Sequence, residues 1–201
     1  MGIRPGLVSS AVIALMLSTP AFAKQTTRIA PGSKSANTTA TAVVPQHKLD
    51  RTDLDFMKKA AEGGMAEVEL GKLAQQNAED AQVKQFGQRM EQDHSKANQQ
   101  LTSIAGQKGV QLPKQLDAKD QKELDRLSGL KGPAFDRAYM RMMVQDHDKD
   151  LKEFQHETQA AKDPDLQNFA QQTLSVIQQH DQMAHDISRA TTGSGSSRPR
   201  R

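Results

Sequence analysis

The sequence has no cysteine, no tryptophan and a single tyrosine in 201 residues. Without cysteine there are no disulfides, no thiolate metal ligands and no lipid-modified N-terminal cysteine. An exported domain of this kind is held by its core alone. Few stacking aromatics and an acidic centre argue against nucleic-acid binding, which calls for a basic face with aromatic platforms. No apolar run reaches the roughly 20 residues that a membrane span needs. There is no Gly-rich phosphate loop, no HExxH and no nucleophile beside a base. Acid is missing from the N-terminal region altogether, since every Asp and Glu lies at or after Asp50.

What the N-terminus does contain reads as an export signal. Arg4 supplies the positive region, Leu7 to Leu17 the apolar one, and Ala21-Phe22-Ala23 a cleavage site after Ala23. Residues 1–23 are therefore set apart as a signal peptide, and the expected location is the bacterial periplasm, with the outer membrane as a neighbouring surface. Residues 24–51 form a basic arm rich in Thr, Ser and Ala, and residues 191–201 a Gly/Ser-rich tail ending in Arg198-Pro199-Arg200-Arg201. Both are expected to be disordered. These basic ends suit weak contact with an anionic envelope surface, or they simply keep the protein soluble.

Between them, residues 52–190 read as one all-α domain. A first helix from about Asp53 to Asn77, capped by Thr52 or Asp53, repeats Met57, Ala60, Gly64, Glu67, Gly71 and Ala74 at three- and four-residue steps. Glycine inside a helix costs about 1 kcal/mol against alanine, so Gly63, Gly64 and Gly71 call for a reason. After a tight turn at 78–80, a second helix carries Val83, Phe86, Met90, Leu101 and Ile104 and stops at Gly109. Residues 110–132 form a long connection with a short helix from about Asp117 to Leu127. A third long helix opens at Pro133, a favoured first-turn residue, and a fourth opens at Asp163-Pro164. Two hairpins joined by a long connection predict a four-helix bundle. Whether the bundle is up-down or crossed over stays open.

One polar residue interrupts each apolar stripe. These are Glu67, His94, His147 and His180; His156 and His185 fall on polar faces, and His47 lies in the arm. Two of the histidines sit in an echo, Gln92-Asp93-His94 and Gln145-Asp146-His147. At 1.5 Å per residue the four intruders lie roughly 17–26 Å from their turns on helices about 40 Å long, which puts them at mid-height. Imidazole and carboxylate at one level in a bundle are how such folds build metal sites, and Zn, Fe, Mn or Cu would suit the set. The competing reading is a buried hydrogen-bond network pairing Glu67 with histidine. Asp93, Asp146 and Asp150 either orient the histidines or face water. A di-iron centre fits poorly: it needs more inward carboxylates than Glu67, and Glu91 lies on the flank of its stripe.

The run Ala60-Ala61-Glu62-Gly63-Gly64-Met65-Ala66-Glu67-Val68-Glu69-Leu70-Gly71-Lys72-Leu73-Ala74 is distinctive, and so is Gly132-Pro133-Ala134-Phe135-Asp136-Arg137-Ala138-Tyr139. With Phe86 to His94 and the single inward histidines of the last two helices, these runs resemble an exported bacterial family known as domain of unknown function 4142. The resemblance covers about residues 52–188. It implies a ferritin-like fold and no established activity; members are often labelled predicted outer membrane proteins, a label that no barrel strand in this sequence supports. Three functions then stand side by side: an exported bundle holding one transition metal, an envelope stress or interaction module with a structural Glu/His network, and a ferritin-like oxidoreductase.

The export signal is directly testable. Expressed in a bacterium with its N-terminus intact, the protein is expected in the periplasmic fraction with Lys24 as its first residue by N-terminal sequencing. A cytoplasmic chain that retains residues 1–23 would rule out cleavage at Ala23.

Overall fold

In a computed structural model, residues 49–193 are described. They form α1 (Arg51–Asn77), α2 (Ala81–Gln107), α3 (Ala118–Ser128), α4 (Gly132–Ala160) and α5 (Pro164–Gly193), with no strand among the described residues. The signal and most of the arm lie outside those residues, as do positions 194–201. The four long helices and the short one in the connection match the expected bundle.

Aspartate starts most of these helices. Asp50, Asp80 and Asp117 each accept a bond from a backbone N–H in the first turn, at 3.0, 2.7 and 2.7 Å, and Asp163 does the same for Asp165 and Leu166. Such caps satisfy N–H groups that the helix itself leaves free. The cap of α1 is thus Asp50 and not Thr52 or Asp53. Thr191 and Thr192 continue α5 beyond the expected end at 190, with hydroxyls donating to the carbonyls of Ile187, Ser188 and Arg189. Gly109 ends α2 in the left-handed conformation, φ +67°, where glycine carries no steric penalty.

Asp53 has a different task from the one its position suggests. It is fully buried, and its carboxylate accepts from the backbone N–H of Lys162 and Asp163 in the α4–α5 turn. Asp136, in the first turns of α4, does the same for Glu79 and Asp80 in the α1–α2 turn. Each hairpin therefore clamps the turn of the other. The start of α1 lies beside the end of α4, so these two helices run antiparallel. Lys108 at the end of α2 pairs with Asp163 and Asp165 at the start of α5, so α2 and α5 are antiparallel as well. It follows that α2 and α4 point the same way. The connection carrying α3 must cross the length of the bundle, which settles the connectivity as a single crossover. Asn77 fixes its far end by donating to the Leu130 carbonyl at 3.0 Å.

Within the first hairpin, α1 and α2 approach closely at Gly71 and Gly87. A Cβ on Gly71 would sit 2.5 Å from the Gly87 carbonyl oxygen, and one on Gly87 would sit 2.6 Å from the Ala74 Cβ. Both glycines are demanded by backbone contact. The core itself is in two pieces. One holds Phe86, Met90, Phe135, Tyr139 and Met143; the other holds Phe56, Leu101, Phe154, Leu166 and Phe169. Between them lies a polar layer.

Two substitutions test this account. Asp136→Ala leaves two turn N–H groups without their acceptor and is expected to cost about 1–3 kcal/mol. Gly71→Ala forces backbone apart and is expected to cost at least about 1–3 kcal/mol. Denaturant unfolding measures both, and wild-type stability in either variant would contradict the packing described.

Candidate metal centre

The polar layer is made of the four residues expected from the sequence. Glu67 (α1), His94 (α2), His147 (α4) and His180 (α5) are all buried, the last two completely. The imidazole centroids lie 5.3–6.1 Å apart. One ring nitrogen from each histidine lies within 4.8 Å of the others. Phe86 meets His147 and His180 edge-on from one side. Helical spacing thus carried the grouping correctly from four separate elements.

Each ring has one nitrogen engaged. His94 Nδ1 lies 2.8 Å from Glu67 Oε2. His147 Nδ1 lies 2.9 Å from the Met143 carbonyl oxygen. His180 Nε2 lies 2.8 Å from Asp93 Oδ2. The Met143 carbonyl and the ionised Asp93 only accept, so neutral His147 and His180 carry the hydrogen on the engaged nitrogen, and His94 does so when Glu67 is ionised. The opposite nitrogen of each ring then presents a lone pair. Those nitrogens are His94 Nε2, His147 Nε2 and His180 Nδ1, and each is buried without a hydrogen-bond partner. Glu67 Oε1 is buried and unpartnered as well, 3.6 Å from His147 Nε2. Four buried polar atoms of this layer thus have no hydrogen-bond partner.

Burial shapes the protonation of the group. It pulls His94, His147 and His180 down to about 4, with the neighbouring imidazoles adding to the effect on His147 and His180. It pushes Glu67 up to about 7, partly offset by His147. Burial and then the charge of Glu67 push Asp150 up to about 8. Asp93 ends below the usual carboxylate range: partial burial opposes this, but the bonds from His180 and Arg89 outweigh it. Neutral imidazoles are the form that binds a metal. Metal-bound histidines nearly always donate their second N–H to a carboxylate or carbonyl, and all three rings have such a partner. In a tetrahedral site with bonds of about 2.0–2.1 Å, nitrogens stand about 3.4 Å apart, so closing on an ion needs only a small inward movement.

Sequence reasoning left the role of Asp93 open; it orients His180 across the α2–α5 interface. Glu91 bonds Gln75 at 2.7 Å on the α1–α2 face, away from the centre. Tyr139, fully buried with its hydroxyl unpartnered, lies in the core cluster on the Phe86 side of the layer. Burial, then Glu67, raises its pKa well above the usual phenol range. His185 lies apart, near Asp148 and Asp181 on the α4–α5 surface.

A family model described as "Domain of unknown function (DUF4142)" matches residues 38–187. Among solved structures, the chain is similar to a DUF305 fragment from Deinococcus radiodurans, with a TM-score of 0.61 and 13% identity over 70% of this chain and 98% of that one. At that identity the likeness speaks for the helical fold alone. No curated protein matches the chain in sequence. Neither likeness bears on the ferritin-like or outer-membrane wording attached to the family.

The protonation pattern sets the acid and alkaline limits of the metal-free protein. The imidazoles fall from an ordinary 6.5 to about 4 on folding, so the stability tied to them is full above 6.5 and is lost as pH drops through 4. Glu67 rises from 4.5 to about 7 and Asp150 from 3.8 to about 8; their contribution is full in acid and is lost as pH climbs through 7 and 8. Among these five groups, three favour rising pH up to about 6.5 and two oppose it, so their combined contribution is expected to peak near pH 6.5. Denaturant titrations in chelator across that range read the curve, with a smaller alkaline loss expected in Glu67→Gln. A stability still climbing at about pH 8 would contradict the assignment.

Proposed function

The chain belongs to the DUF4142 family, and from that premise we propose that it is an exported helical-bundle protein that binds one divalent transition-metal ion in its core. His94 Nε2, His147 Nε2 and His180 Nδ1 are the ligands, and Glu67 Oε1 stands at the edge of the set. Glu67 Oε2, the Met143 carbonyl and Asp93 hold the three rings in the binding tautomer. One observation carries this reading: three buried imidazoles cluster with one nitrogen each within 4.8 Å of the others, and each ring has one buried nitrogen without a hydrogen-bond partner. A purely structural network would pair those atoms, because an unpaired buried polar atom costs about 1–3 kcal/mol.

The donor set suits Zn, Cu(II), Ni or Fe(II), which accept imidazole readily. A set of three histidines leaves a coordination position for Glu67 or a further ligand. The reading assigns no reaction to the centre. In this reading residues 1–23 act as an export signal, and the metal-binding protein belongs to the cell envelope.

The test is calorimetric titration of untagged, chelator-stripped protein with each ion. Wild type is expected to bind one ion per chain. His147→Ala and His180→Ala are expected to lose that binding. Asp93→Asn is expected to weaken it about 10–100-fold, the usual effect of removing a partner behind a ligand. Circular dichroism checks that each variant is folded. If wild type takes up no stoichiometric ion, or a folded triple histidine variant binds as wild type does, the reading fails.

A further inference from the structure

A cavity of about 690 Å³ opens between α1 and α4 beside α3 and reaches across the bundle to Phe169, Thr173 and Ile177 on α5. That volume lies in the range of small-molecule sites. Its basic residues are exposed, whereas its acidic ones, the exposed Asp117 apart, are buried or half-buried. The basic residues that line it, Lys59, Lys119, Arg126, Arg141 and Lys149, are all exposed. Glu67, Asp120, Asp146 and Asp150, which line it too, are buried or half-buried. Asp146 and Asp150 receive no hydrogen bond from any described residue. The interior is therefore lined by carboxyl groups, and those of Asp146 and Asp150 are uncommitted. Beside them stands an aromatic wall, where Phe154 meets Phe56 edge-on at 5.1 Å and Phe169 at 6.2 Å.

Gly63 adds an independent sign. It lies on the lining of this cavity, in the middle of α1, where glycine costs about 1 kcal/mol against alanine. A Cβ there would meet nothing within 4 Å. Packing explains Gly71, and Gly64 faces the Asn98 side chain; neither explanation extends to Gly63. Its missing side chain leaves the lining clear.

We propose that this cavity binds a small organic cation: an apolar or aromatic body carrying an amine. The ammonium group sits against Asp150 and Asp146, where an adjacent cation favours the ionised carboxylate and pairs with it. The body lies along Phe56, Phe154 and Phe169, which also offer ring faces to a cation. A bare metal ion would use neither the volume nor the aromatic wall. The proposal is separate from metal binding at the histidines, although Glu67 and His94 border both sites, and its test uses metal-free protein.

The probes are 3-phenylpropylamine, 3-phenylpropionate and 3-phenylpropanol, which differ only in charge and head group, titrated into the stripped mature chain and followed by ligand-observed NMR and calorimetry. The amine is expected to bind once per chain, at least about tenfold more tightly than the acid, as opposite- and like-charge partners differ. Asp150→Asn is expected to weaken the amine at least about tenfold and leave the alcohol unchanged. Gly63→Phe, which improves helix propensity while filling the lining, is expected to abolish amine binding; Gly63→Ala keeps it and controls for folding. Equal binding of acid and amine, amine binding that survives Gly63→Phe, or no saturable binding would each overturn the proposal. So would magnesium or calcium binding once per chain and excluding the amine, which would assign the cavity to a bare cation.

Discussion

Four buried polar atoms without a hydrogen-bond partner, gathered in one layer of a hydrophobic core, are the constraint on which this structure depends. At about 1–3 kcal/mol for each unsatisfied buried atom, His94 Nε2, His147 Nε2, His180 Nδ1 and Glu67 Oε1 together stand against roughly 4–12 kcal/mol, the scale of a whole domain's stability. A sequence selected for stability alone would place Leu or Met at these positions, as it does one turn away at Leu70, Met90 and Met143. The layer also divides the apolar core into two clusters. Added positive charge relieves the arrangement, either as protons, which the raised Glu67 accepts near neutrality, or as a metal ion. Three of the four acceptors are imidazoles that burial keeps neutral, so a metal ion satisfies more of the set than a single proton does.

The rest of the molecule keeps those atoms aimed. Glu67 holds the His94 ring, the Met143 carbonyl holds His147, and Asp93 holds His180. No ring can turn its lone pair away without breaking its only other polar contact. Arg89 in turn bonds Asp93 at 3.1 Å, so a chain of contacts links the surface of α2 to the ring on α5. At a larger scale, Asp53 and Asp136 clamp each hairpin onto the other's turn. Because the clamps act at both ends of the bundle, they set the relative height of the hairpins. That height decides whether Glu67 on one hairpin meets His147 on the other.

How much of this was legible in the sequence follows from which interactions are periodic. The apolar stripes and their four polar interruptions repeat at the helical period, so the bundle and its central layer could be read directly. The residue rise alone put Glu67 and the three histidines at one level. The clamps could not be read in that way. Asp53 resembles a cap in sequence, yet its partners are at Lys162 and Asp163, more than a hundred positions on. Connectivity was likewise hidden, because a long linker is compatible with either direction until Lys108 is seen against Asp163. The Gln-Asp-His echo looked like one motif used twice and is not. Asp93 serves His180, which lacks the motif, whereas Asp146 lines the cavity. The glycines divide in the same way: Gly71 answers to its partner Gly87, and nothing local in sequence separates it from Gly63.

The cavity follows from the same clamps. Within the first hairpin, α1 and α2 are drawn together by Gly71 and Gly87, and each hairpin is an antiparallel pair in continuous contact. The seam between α1 and α4 has no such glycine pair. It is fixed at its two ends, by Asp53 and by Asp136, and these helices touch far less along their length. These antiparallel helices, sparsely in contact, leave an opening whose lining includes residues of the polar layer. Glu67 and His94 line it, whereas His147 and His180 are sealed behind them. The cavity is thus the side on which the histidine centre is open. One arrangement of clamps accounts for both the gathering of the four polar residues and the side on which they open.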